Sequence, residues 1–225
     1  MPLSFILFEV DNNWLGKNED NKKMINNFLI INCTGKNDII GLRINNKFFF
    51  KKLQTNSIKY EQMSLQVLDL INEYSVDFGK NFSILVNLGP GSFSGIRIAL
   101  ATTKGIQLVK KLNIYGYNNF LINAAPFLKR KEKLTLIQKT NSFYYFSQGV
   151  FDKKYNFTLP TKLDPGYLQL NNSLVVIPEE IKNDAIIRGI DKKKVCIAEF
   201  NLKNIDILIE YNLLENKLIK PLYLS

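Results

Sequence analysis

Apolar runs and stretches of helical spacing alternate along the chain, and their order predicts an α/β fold. The first unit is a set of three short strands, in which the pair Asn45-Asn46 marks a tight turn before the third strand. Helical patterns and apolar strands then take turns. The predicted elements of this half are strands at 28–33, 38–44 and 47–53, a helix over 57–74, a strand at 81–88, a helix over 94–112, a strand at 113–117 and a helix over 118–128.

The second half again begins with strands and ends with a helix. The expected elements are strands at 133–139 and 142–151, which meet at Thr140-Asn141, a loop-rich section with several prolines, strands at 173–177 and 194–198, and a helix near 201–212. We therefore expect two lobes, with residues 24–125 as the first and 126–225 as a second, shortened one. Residues 1–23 carry no periodic apolar face, and we expect them to form a flexible extension.

Composition supports a folded cytoplasmic protein. Hydrophobic residues make up 46% of the 225 positions, which is enough for one core or two small ones. Cys33 and Cys196 lie far apart in apolar runs, which favours buried, reduced thiols. No apolar run is long enough to span a membrane, and the first residues make a poor signal peptide.

The formal charge of +10 raises the question of a nucleic-acid partner. The lysines come mostly singly or in short runs, and the densest cluster, KRKEK at 129–133, includes a glutamate. A general solvated basic surface is therefore favoured over a dedicated nucleic-acid site, although proximity to RNA in a complex stays open.

The chain has no histidine. This absence excludes Ser-His-Asp and Cys-His catalysis, zinc sites of the HExxH type and any acid–base step by an imidazole of these residues. We expect neither a catalytic residue nor a metal site.

The stretch NLGPGSFSGIRIALATTKG, residues 87–105, is the strongest local signal. A strand, a glycine-rich turn and a helix N-terminus can together bind an anion through free backbone N–H groups. Neither the P-loop spacing nor the dinucleotide-binding spacing is met. A structural turn and a contact with a ligand or partner are therefore both open. The candidate residues are Gly89, Pro90, Gly91, Ser92, Phe93, Ser94, Gly95 and Arg97.

The helix that follows this turn is apolar nearly all round. One stripe runs through Ile96, Ala99, Leu100, Thr103 and Ile106, and another through Ile98, Ala101, Gly105, Leu108 and Leu112. Such a helix is covered on both sides, either within its own lobe or by a second protein. Arg97 lies in the first turn, where its charge opposes the helix dipole, so we expect a carboxylate or phosphate close by.

The glycine-rich stretch carries a family resemblance. GPGSFSGIRIALATTKGIQL resembles the GPGSFTGLRIGLATAKGLA signature of the TsaB (YeaZ) family. The ending KPLYLS resembles that family's P-x-YLR, and SFYYFSQGVF occupies the place of its EVYxAxY strand. The resemblance covers about residues 24–225.

The resemblance implies the two-lobe actin/Hsp70/sugar-kinase fold with a reduced second lobe. It implies a non-catalytic scaffold that pairs with a TsaD-type catalytic subunit through helices of the first lobe. With a TsaE-type ATPase, such a complex forms N6-threonylcarbamoyladenosine at position 37 of tRNA. ATP and magnesium would serve the complex rather than this chain alone, tRNA would be contacted indirectly, and a homodimer of the free protein stays open. The implied partner contacts are Tyr60, Ser64, Val67, Ile71, Ala99, Thr103, Lys104 and Ile106.

The chain departs from the family pattern in several places. Asn32 and Cys33 replace an aspartate and a threonine on the first strand, YEQ at 60–62 replaces HSE, and Ser225 replaces a terminal arginine. An amide at 32 cannot organise a metal ion and an attacking water as a carboxylate does. Two alternatives remain: an ATP-dependent phosphotransferase or ATPase of the same superfamily, which Asn32 argues against, and a standalone RNA-binding protein, which rests on charge alone.

Overall fold

The computed structural model describes residues 25–35, 38–53, 62–79, 81–140, 143–152, 154–164, 172–216 and 219–224. Four features of the sequence analysis lie outside these residues: the predicted flexible extension at 1–23, the proposed contact Tyr60, the turn residue Asn141 and the departure at Ser225. The predictions made for them therefore stay predictions.

The first lobe is built on a five-stranded sheet. Its strands are β1 (Asn27–Asn32), β2 (Ile39–Ile44), β3 (Lys47–Lys52), β4 (Phe82–Asn87) and β5 (Asn113–Tyr117), in the order β3-β2-β1-β4-β5. The first three pair antiparallel as predicted, and Asn45 and Asn46 both have positive φ in the two-residue turn between β2 and β3. β4 and β5 run parallel to β1.

Helices cover both faces of this sheet. They are α1 (Met63–Glu73), α2 (Phe93–Lys110) and α3 (Asn119–Ala124), the last continued by a 3-10 helix (Ala125–Arg130). Side chains alternate along β1, so that Leu29 and Ile31 pack with α1 and α2, while Phe28 and Ile30 pack with α3. The predicted order of strands and helices in this half is confirmed.

The second sheet repeats the arrangement of the first. Its strands are β6 (Lys133–Thr140), β7 (Phe143–Asp152), β8 (Lys154–Phe157), β9 (Thr161–Lys162), β10 (Leu174–Pro178) and β11 (Val195–Ala198), in the order β11-β10-β6-β7-β8, with β9 on β7. As in the first sheet, an antiparallel meander is followed by two strands parallel to its first member. The sequence pattern did not predict β8 and β9.

The second lobe is reduced at its helices. In the first lobe the fourth strand is followed by α2, with 18 residues, whereas β10 is followed by a 3-10 helix (Glu179–Ile181) and by α4 (Ala185–Arg188), with four. A further 3-10 helix (Lys192–Lys194) precedes β11. The predicted actin-like α/β fold with two lobes and a reduced second lobe is thus what the structure shows.

The end of the chain returns to the first lobe. The last helix, α5 (Lys203–Glu210), buries Ile205 and Leu208 against the face of the first sheet that carries α3. Arg43 on β2 donates to Asp206 on α5, with Nη1 and Oδ1 2.6 Å apart. Burial raises the pKa of Asp206, an effect that Arg43 opposes. The helix α5 therefore follows the second sheet in the chain but packs on the core of the first, and its Ile207 also contacts the core of the second. The expected division at 125/126 stays a prediction.

Candidate functional site

The glycine-rich turn is held tightly against the end of β1. Gly89 has φ +103°, and a Cβ there would lie 2.8 Å from Ile96 Cδ1. A Cβ on Gly91 would overlap the carbonyl of Thr34, to which the Ser92 N–H donates at 2.8 Å. Glycine is thus required at 89 by the positive φ and at 91 by the close approach of the Thr34 backbone.

The polar groups of this turn are bonded within the chain. The Gly89 N–H donates to Asn87 Oδ1 at 2.9 Å, and the Gly95 N–H donates to Ser92 Oγ at 3.2 Å. Asn119 donates its N–H to the Gly89 carbonyl at 2.8 Å and its Nδ2 to the Pro90 carbonyl at 2.7 Å. These bonds hold the turn in place, and both alternatives for it, a structural turn and a contact with a ligand or partner, stay open.

Asn32 lies in a buried network of amides at the base of the cleft between the lobes. Its Oδ1 accepts from Asn87 Nδ2 at 3.1 Å and from Thr34 Oγ1 at 3.0 Å, and the same Asn87 amide donates to Asn119 Oδ1 at 2.7 Å. Asn32 is 1% exposed. The position that is a carboxylate in the family pattern is here neutral and engaged with other amides.

The cleft above this network has a volume of about 770 Å3 and carries carboxylates on the second lobe. Glu179 and Glu180 follow β10, at the position equivalent to the glycine-rich turn after β4, and Glu199 follows β11. The hydrogen bond from Lys182 Nζ, at 2.7 Å, lowers the pKa of Glu179 and keeps it ionised at neutral pH. Lys52 and Lys203 line the same cleft, so its lining carries charges of both signs. Within the described ranges, no group of three His, Cys, Asp or Glu residues could hold a metal ion.

The proposed partner contacts divide into buried and exposed residues. Val67, Ile71, Ala99 and Thr103 are buried in the core between the helices and the first sheet. Of the others that the structure describes, Ser64 and Lys104 are exposed, and Ile106 is half-buried. These four residues are therefore not surface contacts in this structure, which corrects the set implied by the resemblance. The reason is that the stripe of α2 with Ala99 and Thr103 packs on the sheet.

The apolar stripe on the exposed side of α2 is absent from the partner contacts that the family resemblance implies. Ala101, Gly105, Leu108 and Val109 follow one another at helical spacing, and Leu108 and Val109 are 81% and 77% exposed. α1 adds two leucines three residues apart, both at least half exposed. We call this surface the assembly face, and its residues are Leu65, Leu68, Ala101, Gly105, Leu108 and Val109.

A groove runs between the two helices of the assembly face. Its volume is about 430 Å3, and it is lined by Leu68, Ala101 and Gly105 among others. Ser64 Oγ and Thr102 Oγ1 lie 2.9 Å apart and join α1 to α2. A Cβ on Gly105 would meet nothing within 4 Å. Small side chains along such a groove allow another helix to approach closely.

Arg97 lies at the other end of the exposed stripe of α2. Its guanidinium sits 4.4 Å from the centre of the Phe93 ring, which stacks on Tyr223 at 5.1 Å. Phe93 is 53% and Tyr223 49% exposed. Arg97 thus makes a cation–π contact with Phe93. The carboxylate or phosphate expected near it stays a prediction.

Sequence comparison finds no matching family model and no matching curated protein. Structure comparison does find matches. One is a crystal structure described as an uncharacterized protein with similarity to peptidase YEAZ from Pseudomonas aeruginosa, with TM-score 0.66, 13% identity, and coverage of 88% of this chain and 99% of that one. Another is YeaZ from Pseudomonas aeruginosa, with TM-score 0.62, 12% identity, and coverage of 87% and 100%. The chain therefore has a YeaZ-like fold, as its glycine-rich stretch predicted. No helix among the described residues is both long and apolar enough to cross a membrane.

Proposed function

We propose that this chain is a non-catalytic scaffold subunit that binds a TsaD-type threonylcarbamoyltransferase through its assembly face. In this role it supports the formation of N6-threonylcarbamoyladenosine in tRNA, in the cytoplasm. The YeaZ-like fold supports the family, and the exposed apolar side chains of α1 and α2 are the observation that carries the binding role.

An apolar surface of this kind is costly to leave in water. Leu65 and Leu68 are 60% and 50% exposed, and Leu108 and Val109 more so. Burying one such side chain fully is worth roughly 1.5–3 kcal/mol, and contiguous apolar patches on a folded surface mark contacts with other proteins. A helical partner fits best, because small residues such as Ser64, Ala101 and Gly105 lie among the apolar side chains that line the groove between α1 and α2.

The chemistry is assigned to the partners. Asn32 is a buried amide and supplies no charge for a metal ion, so we assign ATP and magnesium to the complex with its TsaE-type ATPase. The same observation counts against the alternative, an ATP-dependent phosphotransferase. A histidine-dependent peptidase reaction is unsupported, because the chain has no histidine.

The test is a pull-down with the cognate TsaD-type subunit. Leu108→Glu and Leu68→Glu place a charge in the proposed contact and are expected to weaken binding by about 100-fold or more, since an unpaired buried charge costs several kcal/mol. The matched control is Leu159→Glu, because Leu159 is 70% exposed but lies on the second lobe. All three variants are expected to melt within about 2 °C of the parent chain, since surface substitutions change stability little.

One outcome of the pull-down would contradict the proposal. If the two face variants bind as strongly as the Leu159→Glu control, the assembly face is not the interface. Sedimentation of the free chain is a useful second measurement, since a homodimer formed through the same face would also dissociate in Leu108→Glu.

A further inference from the structure

The second sheet places two lysine-rich segments on one edge, although they lie some 60 residues apart in the chain. β6, β10 and β11 run parallel, so their amino ends share an edge. The residues that follow β10 and β11 line the cleft, which puts the amino ends on the side of the sheet away from it. KRKEK precedes β6 there, and the 3-10 helix Lys192–Lys194 precedes β11.

The strand register fixes how close the two segments come. Leu134 pairs with Leu174, and Val175 pairs with Val195. Along the strand direction, Lys133 and Lys194 are therefore offset by one residue. The single strand β10 lies between the strands that they begin or precede. With neighbouring strands about 4.8 Å apart, their backbones lie about 10 Å from each other.

We call this edge of the second sheet the distal edge. Its cations are Lys129, Arg130, Lys131, Lys133, Lys192, Lys193 and Lys194, and its acids are Glu132, Asp152 and Asp191. The first six of these cations are exposed, and the last is half-buried. Within the described part of the chain, none of the seven forms an ion pair. The carboxylate of Asp191 instead accepts from the backbone N–H of Lys193 at 3.0 Å.

The two ends of the parallel strands thus carry opposite charge. Glu179, Glu180 and Glu199 stand at the cleft edge, and the excess of cations stands at the distal edge. A concentrated charge of one sign attracts a polyanion, and a spacing of about 10 Å lets the two lysine segments contact separate phosphates of one nucleic-acid strand.

We propose that the distal edge binds the phosphate backbone of a folded RNA, a direct contact where the family resemblance implies an indirect one. The charge selects a nucleic acid, and the choice of RNA over DNA rests on the proposed function in tRNA modification. The distal edge belongs to the second sheet and the assembly face to helices of the first lobe, so the two surfaces do not compete for the same side chains. RNA readout here is of the backbone and shape, with no base-specific contact.

The experiment measures the affinity of the chain alone for fluorescently labelled, unmodified tRNA as salt is raised. One variant carries Lys192→Gln, Lys193→Gln and Lys194→Gln, and a second carries Lys129→Gln, Arg130→Gln and Lys131→Gln. The matched control carries Lys47→Gln, Lys51→Gln and Lys111→Gln, three exposed lysines of the first lobe, so its net charge falls equally. Thermal melting of each variant checks that it folds.

Each distal-edge variant is expected to bind tRNA at least about tenfold more weakly at ~0.1 M salt, and to lower the slope of log affinity against log salt by about two. The control is expected to stay within about twofold of the parent chain. If the control loses as much affinity as the distal-edge variants, binding follows net charge and the proposal is wrong.

Two further ligands test whether the distal edge prefers the phosphates of RNA to those of DNA or of a lipid surface. A DNA duplex of similar length and vesicles containing phosphatidylserine are tested with the same variants. Equal or tighter binding of either through the distal edge overturns the assignment to RNA. Leu108→Glu is expected to leave tRNA affinity of the free chain unchanged, so a failure of the assembly face in the pull-down and a failure of the distal edge here are told apart.

Discussion

Two glycines of the same stretch, Gly91 and Gly105, have opposite surroundings. The Cβ direction of Gly91 is filled by the backbone and side chain of Thr34, which cannot move without breaking the bond from the Ser92 N–H. Gly105 lies in the middle of α2 and faces open space. The first glycine is a packing requirement of the fold, whereas the second leaves room on a surface.

Exchange of each glycine for alanine is expected to change stability in opposite directions. Gly91→Ala should lower the free energy of unfolding by about 1–3 kcal/mol, because the added methyl group meets backbone. Gly105→Ala should raise it by about 0.5–1 kcal/mol, because alanine favours a helix and fills only empty space. Urea unfolding of the two variants beside the parent chain gives both values. If Gly91→Ala leaves the free energy of unfolding unchanged, the turn is not packed as described.

At the scale of elements, α5 shows that chain order and lobe membership differ. It follows the last strand of the second sheet, yet its apolar stripe closes the open face of the first sheet. The buried Leu208 belongs to one hydrophobic cluster with residues of β1, β4 and β5, far away in sequence. Contacts of this kind couple the end of the chain to its first half.

Leu208→Ala is therefore expected to destabilise the first lobe. Deleting a fully buried leucine side chain costs about 2–5 kcal/mol, whereas Glu210→Ala, on the exposed side of the same helix, should stay within about 0.5 kcal/mol. Hydrogen exchange of the β5 amides should quicken in the first variant and not in the second. Faster exchange confined to the second sheet would place α5 with that lobe instead.

At the scale of the whole molecule, two sheets of like topology enclose a cleft. The turn after β4 bonds to its own chain, and the equivalent turn after β10 carries two glutamates. The amide of Asn32 at the base of the cleft is neutral and hydrogen-bonded to Asn87. On these grounds the proposed scaffold role includes no nucleotide bound by this chain alone.

We predict that ATP with magnesium leaves the melting temperature of the free chain unchanged within about 1 °C. A ligand at a thousand times its dissociation constant would stabilise the fold by about 4 kcal/mol, which would raise the melting temperature by several degrees. Sodium triphosphate with magnesium serves as the ionic control. A shift produced by ATP and absent with triphosphate would support the phosphotransferase alternative over a pure scaffold.

The order of elements in the first half, the Asn45-Asn46 turn and the glycine-rich turn follow from the sequence alone, because each depends on neighbours a few residues away. The sequence also indicates that α2 is apolar on two sides. Only the packing on the sheet decides which side faces inward, since both stripes fit a buried face equally well. For that reason the sequence indicates Ala99 and Thr103 as contacts, whereas Ala101 and Leu108 are the exposed residues. The return of α5 and the meeting of the two lysine segments were likewise decided by strand order and register, which bring together residues whose separation in the chain leaves no local pattern.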